Sequence, residues 1–155
     1  MKEIKTTGTL TDILTNTRAN DFSKFREENR DSLITGEQPF SSYMRETIKA
    51  KGLKQQDVFL SADISEGYGY KLISGEKHTN KRDVILRLCL GARFTLKETQ
   101  TALRLYGFSP LYSKIDRDAL LIIALNTGIY DIHEIDRLLS ENHLEPVYPV
   151  KSIEE

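Results

Sequence analysis

Ile64 to His78 reads ISEGYGYKLISGEKH, and the reading of this stretch decides the fold. Ile64, Tyr68, Leu72 and Ile73 recur at the spacing of one helix face, yet Gly67 and Gly69 fall inside it, each costing about 1 kcal/mol relative to alanine in a helix. Three readings compete: a loop that wraps phosphate, a plain turn, or a helix that must lie very close to something large. Gly67, Gly69 and Gly75 do not fit G-x-G-x-x-G, and no G-x-x-x-x-G-K-[ST] occurs anywhere, so the phosphate loop has no motif behind it. The neighbouring segments decide between the other two.

Those segments are punctuated like short helices. Ser41 to Gly52 sets Tyr43, Met44, Thr47 and Ile48 on one face and ends on Gly52. LKQQDVFLSAD follows, with Val58, Phe59 and Ala62 inward, then a turn at Asp63 to Ser65. A third helix begins with Ser65 as its cap and closes at Gly75; NKRDVILRLCLGA continues as a longer apolar helix with Asn80 as its cap. Ile64, Tyr68, Leu72 and Ile73 then point inward, leaving Ser65, Glu66, Gly67, Tyr70 and Lys71 outside. Short helix, tight turn, second helix is helix-turn-helix order, in which the helix after the turn enters the major groove by its N-terminus.

Working outward, residues 1–38 are a helical extension in which Leu10, Ile13 and Leu14 after Thr9, and Phe22, Phe25 and Leu33 after the cap Asn20, predict two small helices packed on the body. Residues 39–112 form the core, and 113–150 carry a duplication followed by a tail at 151–155. FTLKETQTALRLYGFSPLY at 94–112 aligns without a gap on YDIHEIDRLLSENHLEPVY at 130–148, and RDVILRLCL at 82–90 matches RDALLIIAL at 117–125 with one residue of slack. Each copy holds a capping box, Thr95 with Glu98 and Asp131 with Glu134, and closes on Pro-x-Tyr. The second hairpin is expected to stack on the first and extend its core. No segment shows β alternation, so the expected fold is all-α.

Composition bounds the chemistry. The 155 residues suffice for one domain with a modest extension, the apolar run Ala119 to Leu125 is far too short for a bilayer, and the reading is a soluble, cytoplasmic protein. Net charge is −1, but residues 1–40, 41–93 and 94–155 carry −1, +4 and −4, so a basic middle is masked by an acidic end. That middle suits an anionic partner. Catalysis has little support: His78, His133 and His143 lack metal spacing, Cys89 sits in an apolar run as a small hydrophobe, and Asp131 and Glu134 read as caps. No enzyme, cofactor or metal is expected.

Residues 42–93, with a fifth helix at 95–106, resemble the Cro/phage-repressor (XRE) type of helix-turn-helix. The resemblance rests on G-L-K-Q before the second helix, I-S after the turn, Y-x-Y-K-L-I-S-G-E-K through the third and N-K-R-D opening the fourth. The duplicated tail is similar to that of a bacterial regulator-like subgroup. The resemblance implies a lambda-repressor-like five-helix core and a sequence-specific, double-stranded-DNA-binding transcriptional regulator, with a recognition helix at about 65–74. It implies base contacts from Ser65, Glu66, Gly67, Tyr70 and Lys71, and phosphate contacts from Lys54, Gln55, Lys77, His78 and Lys81. It departs from the family at Glu66, where a basic or hydroxyl residue is usual, and at Gly69, where an apolar one is. Gly67 reads as clearance for the duplex; Gly69 reads equally as room for Tyr68 and Tyr70 to pack. A homodimer is expected because one unit contacts a half-site. The rival reading is an adaptor or antitoxin that keeps the fold and binds a protein, for which the acidic hairpin is a further candidate surface.

Overall fold

The computed structural model describes residues 4–33 and 39–148, whose regular elements are all helices, with no strand among them. The chain divides into two units, residues 1–37 and 38–155.

The first unit holds α1 (Thr7–Thr15), a 3-10 turn (Ala19–Asp21), α2 (Phe22–Glu28) and a second 3-10 turn (Arg30–Ser32). Thr6 caps α1 by accepting from the Thr9 N–H, and the expected cap of α2 is displaced, since Asp21 rather than Asn20 precedes that helix, without a side-chain cap bond. A cap hydroxyl accepts from an amide two or three residues on, which makes Thr9 the recipient. Lys5 closes the unit, its N–H donating to Ser32 Oγ at 2.8 Å and its ammonium to the buried Asn29.

The second unit contains α3 (Pro39–Ala50), α4 (Gln55–Ala62), α5 (Glu66–Ser74), α6 (Arg82–Gly91), α7 (Leu96–Tyr106), α8 (Asp116–Asn126) and α9 (Ile132–Glu141). Helix α4 packs on α6, α3 on α5 and α7, and α8 on α7 and α9. The inward faces follow the helical period: Met44 and Ile48 from α3, Val58, Phe59 and Ala62 from α4, and Tyr68, Leu72 and Ile73 from α5 are all buried. Helix α6 is buried from Val84 to Gly91 because α4 and α7 cover it from different sides. Its predicted cap is corrected: Lys81, not Asn80, occupies the N-cap position, and Thr79 Oγ1 accepts the Lys81 N–H at 3.1 Å.

Duplication appears in bonds as well as in letters. Gln100 of α7 accepts from the Leu111 N–H at 2.7 Å and donates to its carbonyl at 2.8 Å; Asp136 of α9 accepts from the Val147 and Tyr148 N–H groups at 2.7 and 3.2 Å. Arg82 donates to the Ser109 carbonyl and Arg117 to the Glu145 carbonyl. The two copies then grip each other reciprocally. Arg82 makes a bidentate pair with Asp118, at 2.5 and 3.2 Å, while Arg117 makes one with Asp83, at 2.9 and 3.0 Å. A fork of guanidinium on carboxylate fixes orientation as well as distance. The hydrophobic core runs unbroken from Phe40 through Leu121, Ile135 and Leu139 to Val147, so the second hairpin extends the first.

Backbone closure places the slack between the two alignments. The Phe94 N–H bonds the Cys89 carbonyl, and the Ile129 N–H bonds the Ala124 carbonyl. Phe94 therefore corresponds to Ile129, and Tyr130, which the ungapped alignment pairs with Phe94, is the inserted residue. Its ring lies 6.0 Å from the Arg93 guanidinium.

Candidate nucleic-acid interface

Helices α4 and α5 are joined by Asp63, Ile64 and Ser65, with Asp63 in the left-handed region at φ 55°. Asparagine and aspartate tolerate that conformation better than other side chains, and the Ile64 N–H then bonds back to the Phe59 carbonyl at 3.0 Å, burying Ile64. The turn is thereby fixed, and with it the face that α5 presents. Ser65, Glu66, Gly67, Tyr70 and Lys71 are all exposed, as are Lys54, Lys77, His78 and Lys81; Gln55 is half-buried at the first position of α4.

Several contacts draw these residues into two groups. Gln56 Nε2 lies 3.5 Å from Glu66 Oε2, so the first turns of α4 and α5, with Lys54 and Gln55 on one and Ser65 and Glu66 on the other, are neighbours. Neither turn has a side-chain cap bond; the expected cap at Ser65 is in position, but its hydroxyl does not bond the helix. Uncapped N–H groups at helix starts favour an anion. At the other end of α5, the Lys77 N–H donates to the Lys71 carbonyl at 3.0 Å around Gly75, at φ 84°, which brings those two lysines together. The Lys77 ammonium lies 6.0 Å from the Tyr68 ring.

Lys51, Arg82, Arg117 and Arg137 are paired with Glu98, Asp118, Asp83 and Glu141. Lys54, Lys71 and Lys77 form no ion pair among the described residues. Their charge is available to a ligand, with Glu66 as the acidic exception on the same helix.

The two glycines of α5 have different causes. A Cβ on Gly69 would stand 2.4 Å from the Phe59 ring, so Gly69 makes room for Phe59 of α4, rather than for Tyr68 and Tyr70. Phe59 in turn holds the Tyr70 ring edge-to-face at 4.9 Å and 82°, which commits one side of Tyr70 and leaves it 43% exposed. A Cβ on Gly67 would meet nothing within 4 Å. No packing inside the chain requires that glycine.

Three residues that matter here carry little sequence signal. Tyr106, at the end of α7, accepts the Thr79 N–H at 2.7 Å and stacks on His78 at 4.4 Å and 11°, anchoring the link that carries Lys77, His78 and Lys81. Gly91 permits α4 to approach α6, since a Cβ there would meet the Val58 carbonyl oxygen at 2.5 Å. Arg87 announces itself only as a charge within an apolar run. Its Nη1 donates to the Asp63 and Ala62 carbonyls at 3.2 and 3.5 Å, and the Tyr148 ring lies 5.0 Å from the guanidinium. Burial pulls the Arg87 pKa below the ordinary arginine value, opposed by Tyr148 and the carboxylates of Asp63, Asp83 and Asp136. The end of the second hairpin thus reaches the α4–α5 turn through one side chain.

Among the described residues no group of three or more histidine, cysteine or acidic side chains could hold a metal, and no helix is long and apolar enough to cross a membrane. No family model, curated protein or solved structure matches the chain.

Proposed function

We propose that the protein is a non-enzymatic, sequence-specific regulator that binds double-stranded DNA through a lambda-repressor-like core, α3 to α7, of the XRE type. Helix α5 enters the major groove. Ser65, Glu66, Gly67, Tyr70 and Lys71 meet base edges, while Lys54, Gln55, Lys77, His78 and Lys81 grip phosphate on either side. The observation that carries this reading is the division of α5: Ile64, Tyr68, Leu72 and Ile73 are spent on the core, and the opposite face is polar and exposed, with Lys54, Lys71 and Lys77 forming no ion pair among the described residues. Gly67 supports it, because its missing side chain serves nothing inside the chain and clears a path to the duplex. Glu66 suits a cytosine N4 donor, and Tyr70 a hydroxyl contact or a thymine methyl. A dimer that reads two half-sites completes the arrangement.

Selection of bound fragments from random duplexes at two salt concentrations tests the proposal. Each phosphate contact contributes about 0.9 to the slope of log affinity against log salt, so reversing the phosphate contacts by Lys77→Glu and Lys81→Glu, together with the base contact by Lys71→Glu, should abolish binding and its salt dependence. Retention that is undetectable, or indifferent to salt and to these reversals, sinks it.

One observation favours the rival reading as a protein-binding adaptor. Leu60 is 80% exposed beside a cleft lined by Asp57, Ile64 and Glu66, an apolar and acidic combination that suits a protein better than a phosphate backbone. Leu60→Ser leaves duplex affinity unchanged if α5 reads DNA.

A further inference from the structure

The first copy of the repeat shows what covers one stripe of its leading helix. On α6, residues 84, 87, 88 and 91 lie along one line, and α4 lies over it: Gly91 abuts the Val58 carbonyl, Arg87 bonds the Ala62 carbonyl, and Leu88 is completely buried. The equivalent stripe of α8, 35 residues on, is Ala119, Ile122, Ile123 and Asn126. There it is open among the described residues. Ile123 is 62% exposed, Asn126 is exposed, Ala119 and Ile122 are half-buried, and Ile115, one turn earlier, is 50% exposed. The same helix that needs a cover in the first copy lacks one in the second.

We propose that a second copy of the chain supplies the cover, with α8 packed antiparallel on α8. The stripe is complementary to itself in one register. With Ala119 opposite Ile123, each copy's branched side chain sits over the other's alanine; Ile115 then meets Thr127, and the Asp116 carboxylate meets the Asn126 amide. No charged residue lies on the stripe to repel its twin, and antiparallel helices oppose their dipoles favourably. Identical patches related by a two-fold axis close into a dimer and leave no free end. The choice of a second copy as occupant rests on the half-site reading above, because a two-fold operator calls for a two-fold protein.

Sedimentation equilibrium of the full chain without DNA tests the surface. A reversible dimer is expected, weakened at least about tenfold by Ile123→Glu, with the melting temperature of the monomer unchanged because the residue is exposed. Register is read by mixing Ala119→Cys and Ile123→Cys chains under mild oxidation, where disulfides between unlike chains should exceed those between like chains. Cys89 stays out of the exchange, being fully buried with its thiol pushed up to about 12 by burial. A chain that is monomeric at millimolar concentration, a dimer indifferent to Ile123→Glu, or an excess of like-chain disulfides overturns the proposal. None of these measurements uses nucleic acid. A monomer that binds duplex therefore defeats the pairing alone, and a dimer without duplex affinity defeats the regulator reading alone.

Discussion

The hairpins α6–α7 and α8–α9 descend from one pattern and have been put to different uses. Both keep the same latch, in which an arginine and an aspartate open the first helix and a polar side chain of the second helix, Gln100 or Asp136, holds the closing loop. What differs is the surroundings. Helix α6 is wrapped by α4 and α7, so every residue from Val84 to Gly91 is buried; α8 keeps its inner residues Leu121, Ala124 and Leu125 buried and leaves Ile123 outside. The lesson is that the latch specifies the hairpin, whereas its position in the chain decides which of its faces is core. The first copy bonds the α4–α5 turn directly, through Arg87, whose counterpart in the second copy is Ile122, while the second copy reaches that turn through the Tyr148 ring on Arg87.

Breaking the shared latch should have the largest effect, and it should be unequal. Asp118 is 1% exposed and serves both Arg82 and the Tyr112 N–H, so Asp118→Ala strands a partly buried guanidinium and an amide. A loss of about 3 to 5 kcal/mol is expected in urea unfolding followed by circular dichroism. Asp83 pairs with Arg117 at the same type of corner but is 36% exposed, and Asp83→Ala should cost about 1 kcal/mol. Equal losses would mean that the two pairs carry the same load despite their burial.

Truncation at equivalent positions sharpens the contrast. Leu88 and Ile123 occupy the same place in the two copies, and one is fully buried while the other is 62% exposed. Leu88→Ala should destabilise by about 3 kcal/mol, because a cavity between α4 and α6 adds to the lost transfer energy. Ile123→Ala should change the stability of the monomer by less than about 0.5 kcal/mol. A large loss at Ile123 would require a cover within the same chain, and would remove the open face from the molecule.

Much of this contrast could be read from spacing, and the exceptions share a cause. Period and caps are local quantities, so the inward faces of α3, α4 and α5, the stop at Gly52 and the duplicated hairpins are visible in the letters alone. The reason for Gly69 is not local: the ring that needs its space belongs to Phe59, across a turn whose left-handed Asp63 decides where that ring lands. Gly91 is a similar case, a helical glycine explained only by the carbonyl of another helix. Tyr106 stands 27 residues from the amide it anchors. Asn80 was the better cap by residue type, yet Thr79 takes the role of local acceptor and the helix starts one residue later. In the candidate interface, exposure of the α5 residues follows from their period, while the grouping of Lys71 with Lys77 depends on closure around Gly75.

The capping boxes give the smallest and most specific difference. In α7 the box is complete: Thr95 Oγ1 accepts the Glu98 N–H, and Glu98 accepts the Thr95 N–H at 2.9 Å while pairing with Lys51 at 2.8 Å. In α9 Asp131 accepts the Glu134 N–H, but the Glu134 carboxylate stands 3.9 Å from Arg137 on an exposed face. Burial pushes the Glu98 pKa up, but Lys51 together with the Thr95 backbone and side chain outweighs it and holds the carboxyl below its ordinary value. A carboxyl depressed by folding contributes stability above its unfolded pKa, and loses that contribution as pH falls through the folded one. Glu98→Gln keeps the acceptor oxygen of the box and removes the charge, so it should cost about 0.5 kcal/mol at neutral pH, with the gap to wild type closing on acidification through the carboxylate range. Glu134→Gln should leave the urea midpoint nearly unchanged at neutral pH, because its ion pair is exposed. Urea midpoints of the three proteins between neutral and acid pH decide the matter: parallel curves for wild type and Glu98→Gln would show that the ammonium of Lys51 adds nothing to the cap of α7.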